Sequence, residues 1–174
     1  MNRLRVRALA AAYPVYYRLP HRLRMWLVRW VAPTFTVGAV VLVRDQHTDR
    51  LLLLRQPPGR GWSLPAGLLA RGETPLAGAV RELAEESGIA LPPEQLRPAV
   101  PNAVVHHRGR WIDLVFETTV PATTTALRVD GAEVLEAAWH DLTSLPALTT
   151  PTARLLARYG IGPCAGCDPE HDHR

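Results

Sequence analysis

Gly67-Leu68-Leu69-Ala70-Arg71-Gly72-Glu73, seven further residues, and then Arg81-Glu82-Leu83-Ala84-Glu85-Glu86-Ser87-Gly88-Ile89 form the stretch from which the rest of the chain can be read. Glu82, Glu85 and Glu86 stand at i, i+3 and i+4, so in a helix they share one face within a turn. Like charges held that close repel, and a cation among them relieves the repulsion; hard carboxylate oxygens suit Mg²⁺ or Mn²⁺. The segment does read as a helix. Thr74 can cap it, Pro75 fits the first turn, and Gly88 is a natural C-terminal stop. Leu76, Val80 and Leu83 recur at i, i+4 and i+7, an apolar stripe beside the acidic one. Upstream, Trp62 to Gly67 and Gly72 read as a bent loop whose glycines let backbone carbonyls approach a ligand closely. An arbitrary acidic run on a helix would be a solvated face with ion pairs of about 0.3–0.5 kcal/mol each.

That spacing is G-x5-E-x7-R-E-U-x-E-E-x-G-U, with U a bulky aliphatic, and nine fixed positions over 23 residues are all met. It resembles the signature of the Nudix hydrolase family, and the resemblance extends over roughly residues 34–160. One local departure is Ala66, where many members carry the first glycine of a pair. A backbone carbonyl ligand survives that change if Ala66 needs no positive φ.

The resemblance implies an α/β fold, the Nudix-type α/β/α sandwich with a mixed sheet. It implies divalent-metal-dependent hydrolysis of a nucleoside diphosphate linked to another moiety, with water attacking the pyrophosphate. Glu82, Glu85 and Glu86 match the metal-binding glutamates, and the carbonyl of Ala66 or Gly67 matches the backbone ligand. Arg81 matches the arginine that orients the glutamates, and Glu73 the acid that holds Arg81. The general base stays open among Glu82, Glu86, Glu117, Glu133 and Glu136. An alternative is a nucleotide-sensing module of the same fold with little turnover. Isoprenyl diphosphate isomerisation lacks a suitably placed core cysteine, since both cysteines lie in the tail.

The 174 residues suit one domain, and an apolar fraction of 47% can build its core. No apolar run reaches the length of a membrane span, and two cysteines make no disulfide framework. A conventional signal peptide is not seen, so a reducing cytoplasm is the simplest expected compartment. All 20 basic residues are arginine, which with abundant Ala, Pro and Leu suggests a GC-rich bacterial genome. Charge is uneven: residues 1–44 hold eight arginines and no acid, while all 16 acids lie beyond them. The high pI therefore belongs to the N-terminal extension, and no DNA-binding domain is visible.

Three parts are expected: a basic extension over 1–33, the catalytic domain over 34–162, and a Cys/His tail over 163–174. In the extension, Leu23, Trp26, Leu27, Trp30 and Val31 repeat at helical spacing, with Arg22 and Arg29 away from the stripe. The first reading is a helix docked on the catalytic domain or at a homodimer interface. An anionic membrane surface is the second, and substrate phosphates or RNA the third. In the domain, hairpins are expected at 36–55 and 103–120, a last strand over 133–140 and a last helix over 150–159. Substrate candidates are Arg55, Trp62, Arg71 and Glu136, with Arg60, Trp111, Arg108, Arg110 and the His106-His107 pair weaker. Cys164, Cys167, His171 and His173 have ligand chemistry for zinc, but a segment so poor in apolar residues reads first as a disordered tail.

Overall fold

The computed structural model describes residues 13–14, 16–106 and 110–162, in two compact units that divide between Phe35 and Thr36. His107, Arg108, Gly109 and the tail with Cys164, Cys167, His171 and His173 lie outside the described residues. In the first unit, α1 (His21–Val31) follows Pro20 and stops two residues before Pro33, where a missing N–H ends helical bonding.

The second unit is a mixed seven-stranded sheet with a helix on each face, the α/β/α sandwich. Its strands are β1 (Thr36–Asp45), β2 (Arg50–Arg55), β3 (Trp62–Ser63), β4 (Ala66–Leu68), β5 (Arg97–His106), β6 (Trp111–Val120) and β7 (Glu136–Asp141). The helices are α2 (Pro75–Ser87) and α3 (Thr150–Ala157). β1 is the hub. It runs parallel to β6 on one side, and on the other pairs antiparallel with β4 near its start and with β2 at Arg44–Leu51. β2 in turn carries β7 and β3, and β5 closes the far edge against β6.

The β-branched and aliphatic runs of β1 and β2 are buried on both faces, as a covered sheet requires. Val40, Leu42, Leu51, Leu53 and Val115 point to the side where Leu155 and Leu156 of α3 pack. Ala39, Val41, Val43, Leu52 and Phe116 point to the side where Ala79 and Leu83 of α2 pack. At the end of β1, buried Asp45 gathers Arg50 Nη2 at 2.8 Å, the backbone N–H of Ala122 at 2.9 Å and the hydroxyl of Thr48. These bonds hold its carboxyl well below the usual range, the Thr48 hydroxyl contributing most, and they fix the hairpin turn.

Three expectations change in detail. The segment over 62–68 is not only loop: it contributes two short strands, and β4 borders the site. β5 begins at Arg97 rather than at 103, continuing through Pro98 and Pro101 with a register shift between Pro98 and Ala103. An edge strand tolerates prolines because its outer N–H groups have no ladder partner to lose. The last strand starts at Glu136, three residues later than expected.

Candidate functional site

The site begins with the ends of α2. Thr74 Oγ1 accepts the Ala77 N–H at 3.3 Å, and Gly88, at φ 76°, donates its N–H to Ala84 O. A side chain at Gly88 would meet Arg128 Cβ at 2.8 Å as well as a left-handed backbone, so glycine is required there. The helix buries Gly78, Ala79, Leu83, Glu86 and Ser87, while Leu76 and Val80 are only half-buried. Small residues thus let α2 approach β4 and the sheet; a Cβ at Gly78 would run into Leu69 at 2.5 Å.

That close approach brings the acidic stripe against β4. Arg81 is the centre of the arrangement. It donates Nε to Glu73 Oε1 at 2.9 Å and Nη2 to Glu73 Oε2 at 3.0 Å, a two-pronged pair. Its Nη1 reaches Glu82 Oε1 at 2.8 Å and Glu85 Oε2 at 3.0 Å, and its Nη2 also reaches Leu68 O at 3.0 Å. The Arg81 fork and the Ala70 N–H hold the Glu73 carboxyl down at about 2. Those carboxylates, Glu73 first, push the guanidinium further up from its already high value.

Glu86 behaves differently. It is 8% exposed, and it accepts the Ala66 N–H at 2.8 Å and Gln56 Nε2 at 2.6 Å. Desolvation dominates, with the charges of Glu82 and Glu133 adding to it, and the carboxyl is pushed up to about 7 despite its two donors.

The register of β4 decides which backbone carbonyl faces the carboxylates. Val41 donates to Pro65 O at 2.9 Å and Leu69 to Val37 O at 3.2 Å. In an antiparallel ladder the bonded pairs alternate, so Ala39 and Gly67 are the next bonded pair and Gly67 spends its carbonyl on the sheet. Ala66 and Leu68 turn their polar groups the other way, as the Ala66–Glu86 and Arg81–Leu68 bonds show. Of the two carbonyls considered from the sequence, that of Ala66 is free to face α2. Ala66 is not among the described residues with positive φ, so its replacing a glycine costs no strain. Gly67 matters for another reason: a Cβ there would lie 2.0 Å from the Glu82 carboxylate, which fills that space.

Among the described residues no three acidic, histidine or cysteine side chains already converge on one point as metal ligands. The Arg81 guanidinium supplies the counter-charge to Glu73, Glu82 and Glu85 instead. The donors nonetheless fit a hard divalent cation in kind: three carboxylates within one helical turn, a cradle beside Gly67 that only a glycine leaves open, and the outward Ala66 carbonyl.

On the α3 side of the sheet, the same Ala66 and Gln56 help to line a cavity of 390 Å³ with His106, Trp111, Asp113 and Leu155. Asp113 accepts His106 Nε2 at 2.9 Å and the Trp111 indole N–H, and Gly38 on the neighbouring strand leaves room for that pair. Glu86, bonded to both Ala66 and Gln56, therefore links the cavity wall to the acidic helix.

The first-named substrate candidates, Arg55, Trp62, Arg71 and Glu136, stand apart from the cavity, whereas Trp111 and His106, named as weaker, line it. Arg55 donates to Glu136 at 2.6 Å and lies 5.8 Å from the Trp62 ring centre, a cluster at the β2 edge that does not line the cavity. Trp62 packs edge-on against His140 at 4.3 Å. Arg71 is exposed in the turn before α2. Glu117 pairs with Leu42 in register, on the face away from α2. The sequence reading missed Gln56 as a Glu86 partner, and it missed Asp113. The latter had a signal: an acid inside an apolar strand, between Ile112 and Leu114.

A family model for the NUDIX domain matches residues 34–159. Human 8-oxo-dGDP phosphatase NUDT18 is 38% identical over 113 residues, covering 62% of this chain and 33% of that protein. The chain spans a third or less of the length of the first curated relatives it matches. Among solved structures, the NUDIX domain of Shewanella oneidensis NrtR complexed with ADP ribose superposes with a TM-score of 0.59 at 17% identity, covering 75% of this chain and 89% of that one. A MutT NUDIX hydrolase from Burkholderia pseudomallei gives a TM-score of 0.55 at 25% identity, covering 67% of this chain and 92% of that one.

Proposed function

This chain belongs to the NUDIX domain family, and on that footing we propose that it is a divalent-metal-dependent pyrophosphohydrolase acting on a nucleoside diphosphate linked to another moiety. The observation that carries the reading is the placement of Glu82, Glu85 and Glu86 within one turn of α2, with Glu86 bonded to the Ala66 N–H at 2.8 Å and to Gln56 at 2.6 Å, beside a cavity that Ala66 and Gln56 line. Glu82, Glu85, Glu86 and the Ala66 carbonyl would hold Mg²⁺ or Mn²⁺. Such an ion supplies neutralisation of phosphate oxygens and a lowered pKa for a bound water.

The chain's own groups do the positioning. Arg81, itself clamped by Glu73 at 2.9 and 3.0 Å, holds Glu82 and Glu85 in place, so the helix face is ordered before substrate arrives. Trp111 offers a flat wall to a base or ring, and the Asp113–His106 pair offers polar edges to it. A nucleoside seated there would direct its diphosphate past Ala66 towards the glutamates. Of the glutamates outside α2 that the sequence leaves open as general base, we propose Glu133 as the proton acceptor. Two relatives support a nucleoside diphosphate ligand: NUDT18 is named for 8-oxo-dGDP, and the NrtR domain was solved in complex with ADP ribose.

The test is phosphate-linked turnover on ADP-ribose, NADH, nucleotide sugars, dinucleoside polyphosphates, coenzyme A and nucleoside triphosphates, with Mg²⁺ and with Mn²⁺. Turnover of at least one, with Glu133→Gln lowering kcat but leaving metal affinity unchanged, is the expected result. Tight nucleotide binding without product across the panel would replace this reading by the nucleotide-sensing one.

A further inference from the structure

The proposed chemistry leaves the N-terminal unit unused. In α1, Leu23, Trp26, Leu27, Trp30 and Val31 fall on one side at 100° per residue. Arg22 and Arg29 border that side along one edge and Arg24 along the other. No residue of α1 is buried, and Trp26, Trp30 and Val31 are 53%, 75% and 86% exposed. The Trp26 and Trp30 rings lean on each other at 5.5 Å, forming one aromatic ridge. Behind it, Arg24 lies 5.9 and 5.7 Å from the ring centres of Tyr16 and Tyr17.

We propose that α1 is a peripheral docking element for an anionic lipid surface. The tryptophan ridge would enter the boundary between headgroups and acyl chains, and the exposed Arg22 and Arg29 would meet lipid phosphates. An indole suits that boundary because its body is apolar and its N–H polar; a guanidinium at the edge of an apolar stripe can reach up to a phosphate. The helix, 11 residues or about 16 Å long, can lie in the interface but not cross it. Charge selects the occupant. Residues 1–44 hold eight arginines and no acid, so a second copy of α1 would bring like charges together, whereas an anionic leaflet complements them. A nucleic acid would answer the arginines but not the exposed aliphatic Leu23 and Val31 on the same side.

The experiment is co-sedimentation of the full chain with phosphatidylcholine vesicles, with and without about 30% phosphatidylglycerol, at about 50 and 500 mM salt. The expected result is binding to the anionic vesicles at low salt, weakened at least about tenfold on neutral vesicles and again at high salt. Trp26→Ser with Trp30→Ser, and separately Arg22→Gln with Arg29→Gln, should each abolish it. Both pairs are exposed and lie outside the sheet domain, so its thermal unfolding should not move; that readout separates lost binding from lost folding. Absence of binding at low salt, or binding unaltered in the tryptophan variant, overturns the proposal. So does tighter binding to a single-stranded RNA oligonucleotide than to vesicles, or a dimer whose formation vesicles do not compete with.

Discussion

Glu86→Gln should stabilise the metal-free protein at alkaline pH while disabling it. The buried carboxyl titrates at about 7 in the fold and at its ordinary 4.5 when the chain is unfolded. Below 4.5 both states bind the proton, and Glu86 contributes no pH dependence. Between 4.5 and 7 the unfolded chain releases its proton first, so stability falls as pH rises. Above 7 the cost is complete. At about 1.4 kcal/mol per unit it amounts to roughly 3 kcal/mol, an upper figure because the site can relax and admit water. A glutamine keeps the shape, and its amide can still accept from the Ala66 N–H while Gln56 turns its own amide over to accept from it. The variant should therefore gain about 1–3 kcal/mol at pH 8 in chelator, and match the wild type near pH 4. Urea denaturation from pH 4 to 8 reads this directly. Saturating Mg²⁺ should return about 2–3 kcal/mol to the wild type at a hundredfold excess over Kd, and much less to the variant. If Glu86→Gln is the less stable protein at pH 8 in chelator, its two hydrogen bonds outweigh its desolvation, and the reasoning is refuted.

Gly67→Ala places a Cβ where the Glu82 carboxylate lies. That carboxylate is the mobile end of a side chain, so it should yield: kcat is expected to fall at least about tenfold with stability changed by under about 1 kcal/mol, and an unchanged kcat would contradict the cradle. Gly88→Ala meets both a left-handed φ and the Arg128 backbone; a loss of about 2–4 kcal/mol in denaturant is expected, and a loss below about 0.5 would contradict it. Trp111→Leu removes the flat wall of the cavity. KM for the best substrate should rise about tenfold or more with kcat nearly kept, whereas a loss confined to kcat would place the ring elsewhere in the mechanism.

The parts visible in the sequence are those set by local rules. Thr74, Pro75 and Gly88 mark the ends of α2 because capping and left-handed backbone are single-residue properties. Arg81 and its partners Glu73, Glu82 and Glu85 are legible because they match the family signature; helical spacing by itself places only Glu85, at i+4, beside Arg81. What was not legible depends on register and depth. No spacing shows that Gly67 bonds into the ladder while Ala66 faces out; that follows from β4 pairing with β1. Nor does spacing distinguish Glu86 from Glu85, one helical position away: one is buried against β4, and the other's side chain is 60% exposed. The short strands over 62–68 hide because two- and three-residue strands carry no period. Asp113, Trp111 and His106 meet only through the pairing of β5, β6 and β1.

The measurement that bears most directly on the central claim is the initial rate of Mg²⁺-dependent hydrolysis for the wild type and for Glu85→Gln with Glu86→Gln, on the best substrate of the panel. Both variants conserve shape and remove charge, so a folded double variant is expected. The account predicts a loss of at least about a thousandfold, since the chemistry depends on a cation these carboxylates hold. Turnover that survives the double substitution within about tenfold would contradict it, and would move the reaction away from the acidic face of α2.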